Sequence, residues 1–409
     1  MLPQVAGGRS GLTLRAGLFL YDHLGSRRRI PASASLDLRR DPAGYALRRE
    51  LTHGFTYWTA ASMTRASWCS TRVRPPTAAP RSCRAPASLG HGSWTAYGAS
   101  PSPARTVSTR SAHARSSNAA GPWVRGVGHF VARHRQHPVP LRLVKGSHIV
   151  VPRIGGANDA YLCQNADGRV VFAIPYEERF TLIGTTEVAY AGNPGTAAIT
   201  SEEEDYLLAL TRQFFVSPPT RADIVWSFAG VRPLFDETSG ESASAVSRDY
   251  RIELNEGEGA PLLTVLGGKL TTYRRLAEAA MRKLAPHFPN MKRAWTASSP
   301  LPGGDLGEGG LEGLIRKLCR RHRGFDAAFL GRLARRYGSL VEEVLGGAEN
   351  LAGLGMSLGA GLSEREVIYL REREWAQEPD DILWRRTKCG LHMDAGQRAV
   401  ARDAIAQLL

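Results

Sequence analysis

The sequence lacks the features of disulfide-rich, zinc-binding, secreted and membrane-spanning proteins. Its five cysteines form no Cys-x-x-Cys pair and are scattered along the chain: Cys69, Cys83, Cys163, Cys319 and Cys389. This scatter argues against a metal site or a disulfide scaffold and favours a reducing compartment. The sequence contains no run of about 18 apolar residues, and it therefore predicts no transmembrane helix. The N-terminal residues lack the charged start and long apolar core of a signal peptide.

One segment lacks acidic residues altogether. Thr59 to Ser117 contains eight arginines, no lysine, no acidic residue, one leucine and neither isoleucine nor phenylalanine. It supplies +8 of the net charge of +15, so the rest of the 409-residue chain carries an unexceptional +7. So few apolar side chains cannot offset the conformational entropy lost on ordering, which predicts a disordered loop. One interpretation is a basic loop that contacts nucleic acid or an anionic membrane.

A glycine-rich loop for a dinucleotide diphosphate is also absent. Such a loop has the pattern Gly-x-Gly-x-x-Gly between a strand and a helix. The sequence contains none after a strand, and Gly7-Gly8-Arg9-Ser10-Gly11 has no strand before it. The 409 residues therefore do not include this part of a dinucleotide-binding fold.

The remaining sequence predicts strands followed by helices. The expected elements are a helix at 13–24, two strands around Lys145-Gly146, a hairpin turning at 177–179, a helix opened by a Ser201–Glu204 capping box, a strand ending at Ala229, two strands between 249 and 266, and a helical part from about Leu301 that includes a Ser363–Glu366 capping box. This order is typical of an α/β core with an antiparallel sheet domain and an all-α appendix.

The stretch "PLLTVLGGKLTTYRRLAEAA" is the most informative motif. An apolar strand runs through Gly267-Gly268 and Lys269 directly into a helix. Two residues without a Cβ let backbone N–H groups approach a flat or anionic ligand, and the helix N-terminus and Lys269 add positive charge there. This geometry suits a flavin that becomes anionic on reduction. A plain tight turn between strand and helix is the alternative.

Three further side-chain groups are candidates for chemistry. Arg232 of "GVRP" could bind a phosphate bidentately, or be a surface arginine at a strand end. His148 of "GSHIVVP" could be a general base near neutral pH, or a core histidine with one satisfied nitrogen. Thr185-Thr186 could contact a ligand through hydroxyls, although ordinary strand threonines are the more frequent case.

In combination these motifs resemble a known family. The stretches "GLFLYDHLG", "LDLRRDPAG", "NAAGPW", "VKGSHIVVPR", "GVRPL" and "GGKLTTYRRLAE" occur in the order found in bacterial FAD-dependent, quinone-linked glycerol-3-phosphate dehydrogenases. The resemblance covers roughly residues 17–57 and 118–409. It implies oxidation of sn-glycerol 3-phosphate to dihydroxyacetone phosphate, with a hydride passed to FAD and electrons passed on to quinone. It also implies a cytoplasmic protein at the inner surface of the inner membrane, with no nucleic-acid partner.

The resemblance assigns roles to individual residues. Arg232 is expected to bind or polarise the substrate, His148 to act as the base, and Lys269 to lie by flavin and substrate. The residues expected to contact FAD are Asn118, Ala119, Gly121, Gly267, Gly268, Leu270 and Thr271. No metal ligand is implied.

The resemblance also implies the domain organisation. The fold class is α/β, with an incomplete FAD-binding domain like those of glutathione reductase and D-amino-acid oxidase, an antiparallel β substrate domain and a C-terminal all-α domain. The expected divisions are 1–58 as a remnant of the FAD and substrate domains, 59–117 as an unstructured segment, 118–140 as an FAD-domain strand and helix, 141–262 as the substrate domain, 263–300 as the return to the FAD domain, and 301–409 as the helical domain.

The genetic code offers an explanation for residues 59–117. With GC-rich codons, reading one base earlier from Tyr57 can spell Leu-Asp-Gly-Arg-Val-Asp-Asp-Ala-Arg-Leu, a sensible helix start that the family also carries. The same shift near "HARSS" can give an apolar strand before "NAAGPW". We therefore predict a frame-shifted segment in a chain that begins beyond the family's N-terminal region. Two functional interpretations stay open, an FAD enzyme and an inactive remnant or basic binding protein.

Overall fold

The computed structural model describes residues 1–5, 10–23, 31–58, 116–131, 141–156, 158–165, 168–235, 249–256 and 261–409. The described chain divides at residue 290 into two compact units. Of the segment predicted to be frame-shifted, residues 59–115 lie outside the described residues.

The first unit contains most of the strands. They are β1 (Leu2–Pro3), β2 (Ala34–Asp37), β3 (His53–Thr56), β4 (Ser116–Asn118), β5 (Leu141–Pro152), β6 (Tyr161–Gln164), β7 (Val170–Tyr176), β8 (Phe180–Gly184), β9 (Val188–Ala189), β10 (Trp226–Phe235), β11 (Tyr250–Asn255) and β12 (Leu262–Gly267). Its helices are α1 (Gly11–His23), α2 (Val124–Val131), α3 (Ser201–Phe214) and α4 (Tyr273–Leu284).

The largest sheet is antiparallel and has the order β10-β5-β8-β7-β6, with β9 also paired to β5. Side chains alternate between its two faces, because successive residues of a strand point in opposite directions. One face packs against α3 through a mostly apolar core, which includes Ile149, Val151 and Ile183 of the sheet and Leu207 and Leu208 of the helix. The opposite face therefore remains for a ligand.

Two strand predictions in this sheet were wrong. The sequence suggested a break at Lys145-Gly146, but β5 is a single strand of 12 residues. It also suggested a strand end at Ala229, whereas β10 continues to Phe235 and pairs with β5 over its whole length. The long pairing explains both errors. Gly146 lies opposite Gly230 within the ladder, and Pro233 is accommodated because β10 is an edge strand of this sheet.

A smaller sheet carries the glycine motif. Its order is β11-β12-β4, with β11 antiparallel and β4 parallel to β12. After β12 a short 3-10 turn at Leu270–Thr272 leads into α4, and after β4 a similar turn at Gly121–Trp123 leads into α2. The carboxyl ends of two neighbouring parallel strands, each followed by a helix, therefore lie side by side. This edge is where α/β sheets bind their ligands.

Other local predictions were confirmed or shifted slightly. Helix α1 lies at Gly11–His23 against a predicted 13–24, and the hairpin turn falls at Glu177 and Glu178. The capping box of α3 is formed by Thr200 and Glu203, one residue earlier than predicted. The reason is that Thr200 is the last extended residue before the helix, with φ −104° and ψ 163°.

The second unit, residues 291–409, is helical. Its helices are α5 (Gly310–Arg321), α6 (Ala327–Tyr337), α7 (Val341–Leu345), α8 (Glu364–Glu374) and α9 (Ala395–Leu408), with a π-helical turn at Asp381–Arg386. They enclose one apolar core that includes Leu330, Leu333, Val341, Val367, Leu370, Ile382 and Ile405. No helix in the described part of the chain is long and apolar enough to cross a bilayer.

The predicted capping box of α8 is only half formed. The Ser363 hydroxyl accepts a hydrogen bond from the Glu366 backbone N–H. The Glu366 carboxylate instead accepts bonds from Arg336 Nη1 at 2.7 Å and Tyr337 Oη at 2.6 Å. A buried ion pair thus replaces the second capping bond and ties α8 to α6.

Candidate active site

His148 lies on the face of the large sheet opposite α3, and the neighbouring strands fix its ring. The imidazole stacks on Phe228, with 5.0 Å between ring centroids and 10° between planes. On the other side, Gly184 is paired with His148 in the register, and a Cβ there would lie 2.2 Å from the His148 ring. The absence of a side chain at Gly184 therefore makes room for the imidazole.

The electrostatics keep His148 neutral. Burial, followed by the nearby positive charge of Arg232, lowers the pKa of His148 from 6.5 to about 4. Its Nδ1 atom is buried and has no hydrogen-bond partner among the described residues. This pKa is lower than the near-neutral value that the sequence suggested, and the role of His148 as a base stays a prediction.

Arg232 lies inside β10, rather than after its end as predicted. Its Nη2 donates to Thr185 Oγ1 at 3.1 Å, and its Nη1 lies 3.4 Å from Glu187 Oε1. A Cβ at Gly146 would come within 3.0 Å of Nη2, so the guanidinium extends across Gly146. The two candidate side chains, His148 and Arg232, therefore approach each other over one face of the sheet.

Between these two groups the sheet has a bare surface. Gly146 of β5 lies directly opposite Gly230 of β10. A Cβ at Gly230 would meet no atom within 4 Å. We call this pair the glycine floor. The space over Gly230 is open, whereas Gly146 is covered by the Thr185 hydroxyl and the Arg232 guanidinium. The floor is bordered by the imidazole of His148 on one side and by the guanidinium of Arg232 on the other.

The structure also reveals a polar cluster that sequence reasoning missed. The Lys145 ammonium contacts Glu203 Oε2 at 2.9 Å, and both side chains are 6% exposed. Glu203 Oε1 accepts bonds from the hydroxyls of Ser147, at 3.0 Å, and Thr186, at 2.8 Å. The only signals in the sequence are a lysine inside an apolar strand and a glutamate at a helix start, and neither indicates that they meet.

The glycine motif ends β12 with backbone that requires glycine. Gly267 and Gly268 have φ values of 67° and 91°, in the left-handed region. A Cβ at Gly268 would lie 3.0 Å from Tyr250 Cβ. The next residues are exposed, so their backbone groups are accessible at the carboxyl end of β12: Lys269, Leu270 and Thr271.

The "NAAGPW" motif lies at the end of the parallel strand β4. The buried Asn118 side chain donates to the Val124 carbonyl at 2.9 Å and accepts from the Ala120 N–H at 3.3 Å. It therefore shapes its own turn. Gly121 has φ 56°, and Ala119 is exposed. The backbone of this turn, rather than the asparagine side chain, is available beside the end of β12.

The predicted substrate residues, His148 and Arg232, and the predicted flavin-binding glycine motif lie on neighbouring elements. The position of a Gly267 Cβ would be 3.6 Å from the carbonyl oxygen of Pro233, the residue after Arg232. A small core of Val124, Leu141 and Leu266, with Phe235 packed against it, joins the two sheets. The open glycine-lined strand ends fit a flat flavin ring. The residues described here include no Gly-x-Gly-x-x-Gly loop for the diphosphate.

Comparisons with known proteins match both units. Residues 100–274 match the family model described as FAD dependent oxidoreductase. Residues 294–409 match the model described as the C-terminal domain of alpha-glycerophosphate oxidase. A glycerol-3-phosphate dehydrogenase of Pseudomonas aeruginosa is 43% identical over 97% of this chain and 77% of its own length. The chain belongs to the FAD-dependent glycerol-3-phosphate dehydrogenase family.

The chain is also similar to a second curated relative and to a solved structure. A D-erythritol 1-phosphate dehydrogenase of Brucella abortus is 41% identical over 98% of this chain and 80% of its own length. The crystal structure of a Bacillus halodurans glycerol-3-phosphate dehydrogenase with FAD is similar with a TM-score of 0.55 and 28% identity, covering 72% of this chain and 61% of that one. The predicted family, the FAD-oxidoreductase fold with its helical C-terminal domain, and the FAD cofactor of the family are thereby confirmed.

Proposed function

We propose that the chain oxidises sn-glycerol 3-phosphate to dihydroxyacetone phosphate and passes the electrons through FAD to a quinone. One observation carries the proposal. A guanidinium and a neutral imidazole border the glycine floor, which is open over Gly230, in a chain of an FAD-dependent dehydrogenase family. This arrangement can accept a phosphate and a secondary hydroxyl, with a short carbon chain between them.

Arg232 is proposed to bind the substrate phosphate. A guanidinium recognises phosphate through parallel N–H bonds, and the contacts with Thr185 and Glu187 hold it in a defined orientation. It lies over Gly146, which is two residues from His148 along β5, or about 6.6 Å of strand. This spacing suits a three-carbon phosphate ester.

His148 is proposed to accept the proton of the substrate's secondary hydroxyl. Its Nδ1 is buried, so Nε2 is the nitrogen proposed to meet the hydroxyl group. A pKa of about 4 leaves the ring neutral and able to accept a proton at pH 7. A phosphate dianion bound at Arg232 would offset the positive charge that lowers this pKa. Substrate binding would therefore make His148 a stronger base.

The exposed turn after β12 is proposed to hold the flavin ring. The residues that would hold it are Gly267, Gly268, Leu270 and Thr271, together with the backbone of the Asn118, Ala119 and Gly121 turn. When bound, FAD supplies the acceptor for the hydride of the substrate carbon. Lys269 would place a positive charge at this edge.

The domain divisions and the cellular context belong to the same proposal. By resemblance, 118–140 and 263–300 form FAD-domain segments, 141–262 forms the substrate domain, and 301–409 forms the helical domain. The quinone acceptor and a peripheral position on the cytoplasmic face of the inner membrane are proposed on the same ground. They are supported by the family to which the chain belongs.

A product assay tests the proposal. The chain, supplied with FAD, is mixed with sn-glycerol 3-phosphate and a soluble quinone analogue, and dihydroxyacetone phosphate is measured enzymatically. D-erythritol 1-phosphate is the competing substrate, because one relative carries that name. Glycerol without phosphate is the control. The proposal is supported if glycerol 3-phosphate is turned over in preference to the erythritol ester and glycerol gives no product. Preferential turnover of the erythritol ester would change the proposed substrate. Turnover of neither ester would contradict the proposal.

A further inference from the structure

A buried acidic residue lies at the centre of the polar cluster beneath the substrate face. Glu203 Oε2 accepts from the Lys145 ammonium and from the Thr200 N–H, both at 2.9 Å. Its Oε1 accepts from the hydroxyls of Ser147 and Thr186. We call these five residues the Glu203 cluster. Four donors converge on one carboxylate, so its orientation is fixed.

The Glu203 cluster is attached to the segment that contacts Arg232. The Ser147 N–H donates to Thr186 Oγ1 at 2.9 Å, and the Thr186 N–H donates to the Ser147 carbonyl at 3.3 Å. Thr186 is 1% exposed, and its carbonyl also accepts from the Thr185 hydroxyl at 3.1 Å. Its two chain neighbours, Thr185 and Glu187, are the residues whose side chains contact the guanidinium of Arg232.

Stability alone gives a weak reason for such a cluster. Removing a carboxylate and an ammonium from water costs several kcal/mol for each ion, and apolar residues of similar volume are often as stabilising as a buried ion pair. Hydrogen bonds from several directions do, however, select one arrangement of the backbone. The charge is maintained because hydrogen bonds outweigh the effect of burial and lower the pKa of Glu203 below its ordinary value.

We infer that Glu203 is a positioning residue: through Thr186 it fixes Thr185 and Glu187, and these hold the guanidinium of Arg232 over Gly146. Glu203 itself is buried and on the other side of β5 from the glycine floor, so it acts only through its partners. The consequence for phosphate binding rests on the proposed function. The inference that Glu203 fixes the position of the Arg232 guanidinium does not depend on the proposed function.

The sharpest test removes one hydroxyl and leaves the ion pair intact. Thr186→Val keeps the side-chain shape but removes the bonds to Glu203 and to the Ser147 N–H. Thr211→Val is the matched control. Thr211 is equally buried and lies on α3 with Glu203, but its hydroxyl bonds only to the Leu208 carbonyl in the described structure, at 2.7 Å. Both variants of the 409-residue chain are titrated with glycerol 3-phosphate and with inorganic phosphate by calorimetry, and both are crystallised.

The expected result is that Thr186→Val binds both ligands about tenfold more weakly, since a displaced recognition group loses its alignment with the ligand. Its crystal structure should show the Arg232 guanidinium displaced from Gly146, whereas Thr211→Val should match the wild type in both respects. An unmoved guanidinium in Thr186→Val would overturn the inference, whatever the affinity. If the wild type binds no phosphate ester but the guanidinium still moves in Thr186→Val, the proposed function fails and the positioning role of Glu203 stands.

Discussion

The imidazole of His148 lies parallel to the ring of Phe228, with 5.0 Å between the ring centroids. The two residues are directly opposite in the register of β5 and β10. Because Nδ1 makes no hydrogen bond within the described structure, the orientation of the ring depends on this stacking and on the space at Gly184. The proposed base is thus positioned by packing rather than by a carboxylate, and its charge state is set by burial.

His148 should make folding stability depend on pH. Its folded pKa of about 4 lies below its ordinary value of 6.5, so between these values the unfolded chain binds more protons. The stability associated with the neutral ring is therefore complete above pH 6.5 and is lost as the pH falls toward 4. Between about pH 7.5 and about pH 4.5 the wild type should lose about 2 kcal/mol more than His148→Asn.

Urea titrations of both proteins at the two pH values measure this difference, and groups shared by both cancel. A stability gap between wild type and His148→Asn that does not change with pH would show that His148 is not held neutral by the fold. In the FAD-supplied chain, His148→Asn should also slow oxidation of glycerol 3-phosphate. An undiminished rate would remove the histidine from the mechanism.

Arg232 should be required for binding the phosphate. Arg232→Ala should lower kcat/KM for glycerol 3-phosphate by at least about tenfold, because a charged donor to an oxyanion contributes several kcal/mol. Arg232→Lys should recover only part of the loss, since a lysine cannot form two parallel bonds. Arg39→Ala, at an exposed pair with Asp37, is the control. Unchanged kinetics in Arg232→Ala would refute the assignment.

The glycine floor should tolerate a methyl group structurally but not functionally. A Cβ at Gly230 meets open space, and its backbone conformation suits any residue, so Gly230→Ala should fold with undiminished stability. The added methyl occupies the proposed substrate position and should weaken binding of glycerol 3-phosphate by about tenfold. Gly156→Ala, where a Cβ also meets no atom, is the matched control. Equal affinities in the two variants would mean that the substrate does not lie on this floor.

The helical unit should depend on its buried ion pair. Glu366 is 1% exposed and holds both Arg336 and Tyr337. Glu366→Ala should lower the free energy of unfolding by about 3–5 kcal/mol, because it leaves the Arg336 charge buried without its carboxylate, with the Thr387 carbonyl as a neutral acceptor. Glu372→Ala breaks an exposed pair with Arg371 and should cost less than about 1 kcal/mol. Denaturant titrations compare the two, and similar losses would contradict a dominant role for the buried pair.

Local patterns in the sequence were sufficient for the elements whose causes are local. The hairpin at Glu177, the helix after Gly268 and the N-terminal helix were all predictable, because turn residues and apolar spacing specify them. The unbroken β5 was not predictable. Whether Gly146 starts a turn or continues a strand depends on its pairing with Gly230, far along the chain.

The candidate site was predictable by residue but not by geometry. The family motifs identify His148, Arg232 and Lys269 as candidates. The low pKa of His148 and the Glu203 cluster arise from contacts between distant segments, which no local pattern records. Lys145 illustrates the limit, because its burial is explained only by a carboxylate 58 positions later in the chain.

The reading frame of residues 59–117 stays a prediction. The matches to relatives cover up to 98% of the chain and thus run through this segment, while most of it lies outside the described residues. The nucleotide sequence of the gene should show compensating shifts near codons 59 and 117, with acidic and apolar codons in the alternative frame. An alternative frame interrupted by stop codons would contradict the frame shift and favour a genuine basic segment.

The visible spectrum of the purified chain tests the central claim most directly. The protein is incubated with FAD, freed of unbound cofactor, and mixed without oxygen with sn-glycerol 3-phosphate or with glycerol. A flavoenzyme of this family should be yellow, and its oxidised-flavin absorbance should disappear with glycerol 3-phosphate but not with glycerol. A colourless protein that retains no FAD, and that instead binds DNA or anionic vesicles with an affinity falling steeply with salt, would contradict the account.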